Sequence, residues 1–290
     1  MALTRAVTHG ITCAIAGLCW SGLALASSVD TRIPITLASG HETTLLLRGP
    51  AQVDTPLPVV IVFGGFESSE RTLDYLPTDR AIWRATFPYP WEAPEEVGIT
   101  RVPAILRGFR TAVDDTFDGI RQLLAVLRAR PDVDPERIVL VGASAGAPFA
   151  AIAGVREQVP GVVIVQGYGR LGLVIGHQFR LSLEKRYGAW VRPFASLLGH
   201  GIAAWTQLPE PEDAARQFTA EQRVLVVNAA DDERIPAAAI EALWSAVDAS
   251  PARARRIDRP GGHLRGEGDP EILALMALAF GWMEEVDLLP

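Results

Sequence analysis

Four short apolar runs restrict this chain more than any other feature. Pro58–Phe63, Arg137–Val141, Gly161–Val165 and Arg223–Val227 are rich in valine, isoleucine and leucine, with no polar residue at alternate positions. A strand with one face in water alternates polar and apolar residues. A strand apolar at every position is buried on both faces, as in a parallel sheet covered by helices. The intervening segments supply those helices. From Arg107 to Arg130, Phe109, Val113, Phe117, Ile120, Leu123, Leu124 and Leu127 recur at spacings of three and four, the pattern of an amphipathic helix, and Pro131 and Asp132 end it. Segments 145–158, 236–247 and 270–283 read as further helices, with Pro148, Pro236 and Pro270 at or near their starts, where a missing N–H is tolerated. Weaker strand signals lie at 81–87 and 254–258. Arg32–Ala38 and Glu42–Arg48 flank the turn Ser39-Gly40-His41 as an antiparallel hairpin, and Pro34 suits an edge strand. The expected fold class is α/β: a mainly parallel sheet flanked by helices.

One segment breaks the rhythm. Residues 168–220 separate two strands by some fifty positions, far more than a simple crossover needs. Its apolar residues, among them Leu171, Phe179, Tyr187, Trp190, Phe194 and Trp205, suggest several helices. We read it as a lid inserted over the C-terminal edge of the sheet, the competing reading being a segment that only caps the core.

The N-terminal residues stand apart from the fold. Arg5 is the only charge before Asp30, and an apolar stretch runs from Ile11 to Ala26, ending in Ala24-Leu25-Ala26 ahead of Ser27. Positive charge, apolar core and small-residue cleavage site are the parts of a secretory signal peptide. The expected division is a signal peptide over 1–26 and one domain over 27–290, secreted or periplasmic, the alternative being an uncleaved membrane anchor. Both cysteines, Cys13 and Cys19, fall in the leader. The mature chain would then have no disulfide, no thiol nucleophile and no Cys-ligated zinc. Composition narrows the partners. With 49% hydrophobic and 21% charged residues the chain is not disordered. With 27 Lys+Arg against 34 Asp+Glu, and no dense basic cluster, nucleic acid is not an expected partner.

The first signal of chemistry follows the second buried strand directly. Gly142-Ala143-Ser144-Ala145-Gly146 matches Gly-x-Ser-x-Gly between a strand and a helix. A sharp strand-to-helix turn lifts a serine Oγ above the sheet, small neighbours relieve the crowding, and the helix N-terminus favours developing negative charge. A serine hydroxyl needs a base, and histidine is the natural one near neutral pH. His9 lies in the leader, His41 in the hairpin turn, and His177 and His200 in the inserted segment, where packing roles suffice. His263, in Pro260-Gly261-Gly262-His263 after the last strand, sits where a loop can reach Ser144. The orienting carboxylate is expected in Asp231-Asp232-Glu233, after the fourth buried strand, with Asp231 and Asp232 both open. The two oxyanion donors are expected at the Ala145 N–H and, from Gly64-Gly65-Phe66, the Phe66 N–H. Trp91 and Tyr168 are candidate substrate contacts. No metal or cofactor is implied.

With these residues in hand the chain resembles the α/β-hydrolase superfamily. The order Ser144, Asp232, His263 is that family's order. Asp134-Pro-Glu-Arg-Ile138 resembles a run ahead of the nucleophile strand in its dienelactone-hydrolase and prolyl-oligopeptidase-like branches. Asp232-Glu-Arg-Ile-Pro236 resembles its acid loop, which favours Asp232 over Asp231. The sequence departs from many relatives at Gly64, where their oxyanion loop begins His-Gly. With the signal peptide expected at residues 1–26, the resemblance implies an exported serine hydrolase of carboxylic esters, acting on a small ester or acyl substrate. A peptidase or amidase on the same scaffold, and a non-catalytic binding protein, are the alternatives.

Overall fold

A computed structural model describes residues 28–65, 70–91, 102–264 and 270–290. The segment expected to be a signal peptide, with both cysteines, and Phe66 lie outside the described residues. Eight strands form one sheet: β1 (Ser28–Thr36), β2 (Glu42–Pro50), β3 (Leu57–Phe63), β4 (Trp83–Thr86), β5 (Val133–Ala143), β6 (Gly161–Val165), β7 (Arg223–Ala229) and β8 (Arg253–Arg259). Their order is β1-β2-β4-β3-β5-β6-β7-β8. The β1–β2 hairpin and the β2–β4 pair are antiparallel, and β4 through β8 run parallel. Pro34 sits on the edge strand β1, where it removes no interior ladder bond.

The helices are α1 (Val102–Arg128), α2 (Ala147–Arg156), α3 (Leu171–Tyr187), α4 (Arg192–Thr206), α5 (Pro211–Ala215), α6 (Ala237–Asp248) and α7 (Glu271–Glu285). Alternation along each central strand divides the core in two. Val59, Ile61 and Phe63 of β3 join Ile138, Leu140, Val162 and Ile164 against α1, α2 and α6. Val60 and Val62 join Val139, Val141, Val163 and Val165 against α7. Both faces are dry, which is why these strands read as unbroken apolar runs. Each fully buried valine, leucine or isoleucine contributes about 1.5–3 kcal/mol.

Three details go beyond the sequence reading. Helix α1 begins at Val102, ahead of Arg107. Strand β5 begins at Val133, through an irregular pairing in which Leu57 faces Val133 but Val59 faces Ile138. Its first half, Asp134-Pro-Glu-Arg, is polar and holds a proline, so no strand pattern marks it. A 3-10 turn, Arg71–Tyr75, buries Leu73.

Candidate active site

Parallel strands end at a common edge, and the loops after β3, β5, β6, β7 and β8 meet there. Ser144 follows β5 at once and has φ +52°, a left-handed backbone that costs a non-glycine residue about 1–2 kcal/mol. Two glycines make that turn possible. A Cβ on Gly142 would lie 2.3 Å from the Gly146 carbonyl oxygen, and one on Gly146 would lie 2.2 Å from that of Phe63. Ala145 follows Ser144 in the one-turn 3-10 helix Ser144–Gly146, at the start of α2, where the first N–H groups have no intrahelical acceptor.

Three side chains distant in sequence join here. Ser144 Oγ lies 2.9 Å from His263 Nε2, and His263 Nδ1 lies 2.8 Å from Asp232 Oδ2. The bond to the carboxylate fixes the tautomer: Nδ1 donates to Asp232 and Nε2 is left to accept the serine proton. The side chains of His263 and Asp232 are 4% and 1% exposed, so water does not compete for that bond. The other Asp232 oxygen accepts the N–H groups of Arg234 and Ile235, each at 2.9 Å. Asp231 is exposed and its backbone N–H donates to Gly261, so of the two acids it is Asp232 that meets the imidazole.

Burial pushes the Asp232 carboxyl up, but the bond and charge of His263 and the two backbone N–H groups outweigh it, and its pKa lies below the ordinary carboxylate value. A carboxyl depressed in the folded state stabilises the fold fully above its unfolded pKa of about 3.9, and that contribution is lost as pH falls through the lower, folded value. Melting curves of wild type and Asp232→Asn should therefore keep their full difference above about pH 5 and draw together only as pH falls below about 4, toward the folded value.

Sequence reading missed the residues that hold the histidine. Gln166, fully buried after β6 at φ +50°, grips both sides of His263. Its Nε2 donates to the Gly262 carbonyl at 3.4 Å and its Oε1 accepts the Leu264 N–H at 3.1 Å. Glu233 accepts the His263 N–H at 3.1 Å, and this bond holds its carboxyl below the usual range. Arg259 donates to the same Gly262 carbonyl at 2.8 Å. Tyr89 was missed as well. Its hydroxyl donates to the Gly64 carbonyl at 2.9 Å, and its ring packs against Phe63 and Phe149. Burial, with the Tyr168 hydroxyl beside it, pushes the Tyr89 phenol up, so it stays a neutral donor. Because a trans peptide sets C=O and N–H in opposite directions, this bond aims the Gly65 N–H away from Tyr89.

The remaining candidates are placed as follows. Tyr168 packs beside the acid loop, against a cluster of Val174, Ile235, Ala239 and Ile240, and burial pushes its phenol up to about 12. Trp91 meets Phe109 of α1 edge-on at 5.4 Å and lines a groove of about 640 Å³ with Arg32, His41, Glu42 and Tyr89. The described contacts do not bring Trp91 to Ser144. His41 lies in that groove, His200 donates to Ser196 of its own helix, and His177 donates to the Glu233 carbonyl. Phe66 lies outside the described residues, so the oxyanion loop is described only as far as Gly65.

No protein-family description matches the sequence, and no curated protein does. Solved structures are similar in fold. Acetyl xylan esterase 1 from Thermoanaerobacterium sp. JW/SL YS485 superposes with a TM-score of 0.62 at 14% identity, over 89% of this chain and 83% of that one. The acetyl xylan esterase from Paenibacillus sp. R4 gives 0.62 at 15% identity, over 90% and 86%. The acylaminoacyl peptidase of Pyrococcus horikoshii gives 0.61 at 14% identity, over 89% of this chain but 41% of that one. The chain has the α/β-hydrolase fold.

Proposed function

We propose that this chain is an exported serine hydrolase that cleaves carboxylic esters through an acyl-enzyme. The observation that carries the reading is the hydrogen-bonded series from Ser144 through His263 to Asp232. Ser144 Oγ bonds to the substrate carbonyl carbon while its proton passes to His263 Nε2. Asp232 holds the resulting imidazolium. The carbonyl oxygen, now negative, accepts hydrogen bonds from the Ala145 N–H and from a second N–H in the Gly64–Phe66 loop. As the tetrahedral intermediate collapses, the C–O bond to the alcohol breaks and His263 returns the proton to the departing oxygen. Water then repeats the sequence on the acyl-serine, giving the acid and restoring Ser144. Every group in this cycle comes from the chain, the substrate or water.

The clamp on the His263 loop supports the same reading. Gln166, Glu233 and Arg259 spend four hydrogen bonds on three consecutive residues around one imidazole. A histidine with a packing role needs no such placement, whereas a general base must stay within hydrogen-bond reach of its nucleophile. Ester over amide is favoured by the esterases among the similar structures, and residues 168–220 serve in this reading as a cover over the site.

The test pairs a fluorophosphonate probe with a substrate panel. The probe should label wild type at Ser144, and p-nitrophenyl esters should turn over far faster than matched peptide anilides. Anilides cleaved as fast as esters would replace the esterase by a peptidase. No labelling and no turnover would leave a binding protein on a hydrolase scaffold.

A further inference from the structure

Helices α3 and α4 form a hairpin packed the wrong way round for water. Their seam is made of small residues. A Cβ on Gly199 would lie 2.2 Å from the Gly176 nitrogen and 2.6 Å from the Gly172 carbonyl oxygen, so the two backbones touch. Along 189–206 the buried residues are Val191, Ala195, Gly199 and Thr206, and on α3 Gly172 and Gly176 are buried with Leu171 and Val174. The large apolar side chains point outward instead: Trp190 is 67% exposed, Phe194 61%, Leu197 74% and Trp205 47%. A helix in water puts its large apolar residues inside. Small residues in the seam and large ones outside is how helices associate in lipid, where close backbone approach holds the pair and the outer surface meets hydrocarbon.

Length and charge decide what the face meets. Helix α4 has 15 residues, a length of about 22 Å, against about 30 Å for a hydrocarbon core. Among the described residues no helix is long and apolar enough to cross a membrane. The hairpin can lie on a bilayer but not span it. Residues 171–206 carry four cations, Arg180, Lys185, Arg186 and Arg192, and one carboxylate, Glu184, in a chain whose net charge is −7. Glu184 pairs with Arg180 and Arg192, and Lys185 is exposed at the tip beside Tyr187 and Trp190. Tryptophan and tyrosine favour the headgroup level, where cations find anionic lipid. A second copy of the chain fits worse. A two-fold interface sets one net-positive segment against another.

We infer that the outer face of the α3–α4 hairpin docks this protein on an anionic phospholipid surface. The position suits an enzyme. Helix α3 is tied to the acid loop, His177 donating to the Glu233 carbonyl at 3.0 Å and Gln178 to that of Arg234 at 2.7 Å. The hairpin that carries the docked face is therefore anchored to the loop that holds Asp232. Docking itself does not depend on the chemistry assigned to Ser144.

The experiment uses the full chain and vesicles of phosphatidylcholine alone or mixed equally with phosphatidylglycerol, in about 0.1 M salt. Co-sedimentation and tryptophan emission report binding. The leader is common to every variant, so it cancels in the comparison. Wild type should bind the mixed vesicles at least roughly tenfold more tightly than neutral ones. The triple variant Trp190→Ala, Phe194→Ala, Leu197→Ala should lose roughly tenfold or more, and Lys185→Glu roughly fivefold. Both variants should keep the wild-type Tm and circular dichroism, because the substituted side chains are exposed. Three results overturn the inference: no preference for phosphatidylglycerol, equal binding by the triple variant, or a wild-type dimer that the triple variant converts to monomer.

Discussion

Ser144→Ala is expected to lower kcat for p-nitrophenyl acetate by roughly ten-thousandfold to a millionfold, while KM and Tm stay near wild type. The size follows from what is lost. Without Oγ there is no acyl-enzyme, and the only remaining route is direct attack by water in a site that still offers the Ala145 N–H. The fold should survive because alanine bears the same strain at φ +52° as serine, and the methyl fits the space the hydroxymethyl occupied. His263→Ala should cost about as much, and the double variant no more than either alone, since the two residues act as one unit through their 2.9 Å contact. Steady-state kinetics on the three variants check this. A Ser144→Ala rate within tenfold of wild type, or costs that multiply in the double variant, would remove Ser144 from the chemistry.

Legibility in the sequence followed a physical boundary. The strands β3, β5, β6 and β7 could be read because burial on both faces leaves no room for polar residues. Ser144 could be read because a strand-to-helix turn of that sharpness demands glycine at 142 and 146. The loops of Asp232 and His263 could be read because parallel strands deliver their following loops to one edge, while the choice of Asp232 over Asp231 rested on the resemblance of the acid loop to that of the α/β-hydrolases. Gln166, Glu233 and Tyr89 could not. Each acts on the backbone of another loop, at Gly262, His263, Leu264 or Gly64, and a bond to a backbone atom leaves no residue pattern at its far end. The α3–α4 hairpin was legible only in part. Its apolar residues suggested several helices, but composition does not say which way each side chain faces. The glycines that reverse the packing, Gly172, Gly176 and Gly199, acquire meaning only when the helices are seen touching. Trp91 illustrates the remaining limit: an aromatic in a loop after a strand can face either the site or the neighbouring groove, and here Phe109 draws it toward α1.

The second large effect is structural and falls on Gly146. A methyl there would lie 2.2 Å from the Phe63 carbonyl oxygen, 2.7 Å from its carbon and 3.0 Å from the Gly64 carbonyl oxygen. All three are backbone atoms, so no rotamer change relieves the overlap, and the loop after β3 must move away from the turn that carries Ser144. Gly146→Ala should cost about 3 kcal/mol, the upper end for an overpacked core site, and lower Tm by roughly 10 °C. Gly281→Ala supplies the contrast. Gly281 lies within α7, and nothing stands within 4 Å of a Cβ placed on it. There alanine should stabilise by about 0.5–1 kcal/mol, through helix propensity alone. The two substitutions add the same methyl, so thermal melts of both separate contact from composition. Activity separates them again. Displacing Gly64 and Gly65 disturbs the loop assigned the second oxyanion donor, so Gly146→Ala should also lose ester hydrolysis at temperatures where it remains folded, by roughly a hundredfold if that donor is lost. Gly281→Ala should keep the wild-type rate. A Gly146→Ala protein with full activity and unchanged Tm would mean that the close approach of β3 to the serine turn is not what holds Ser144 in place.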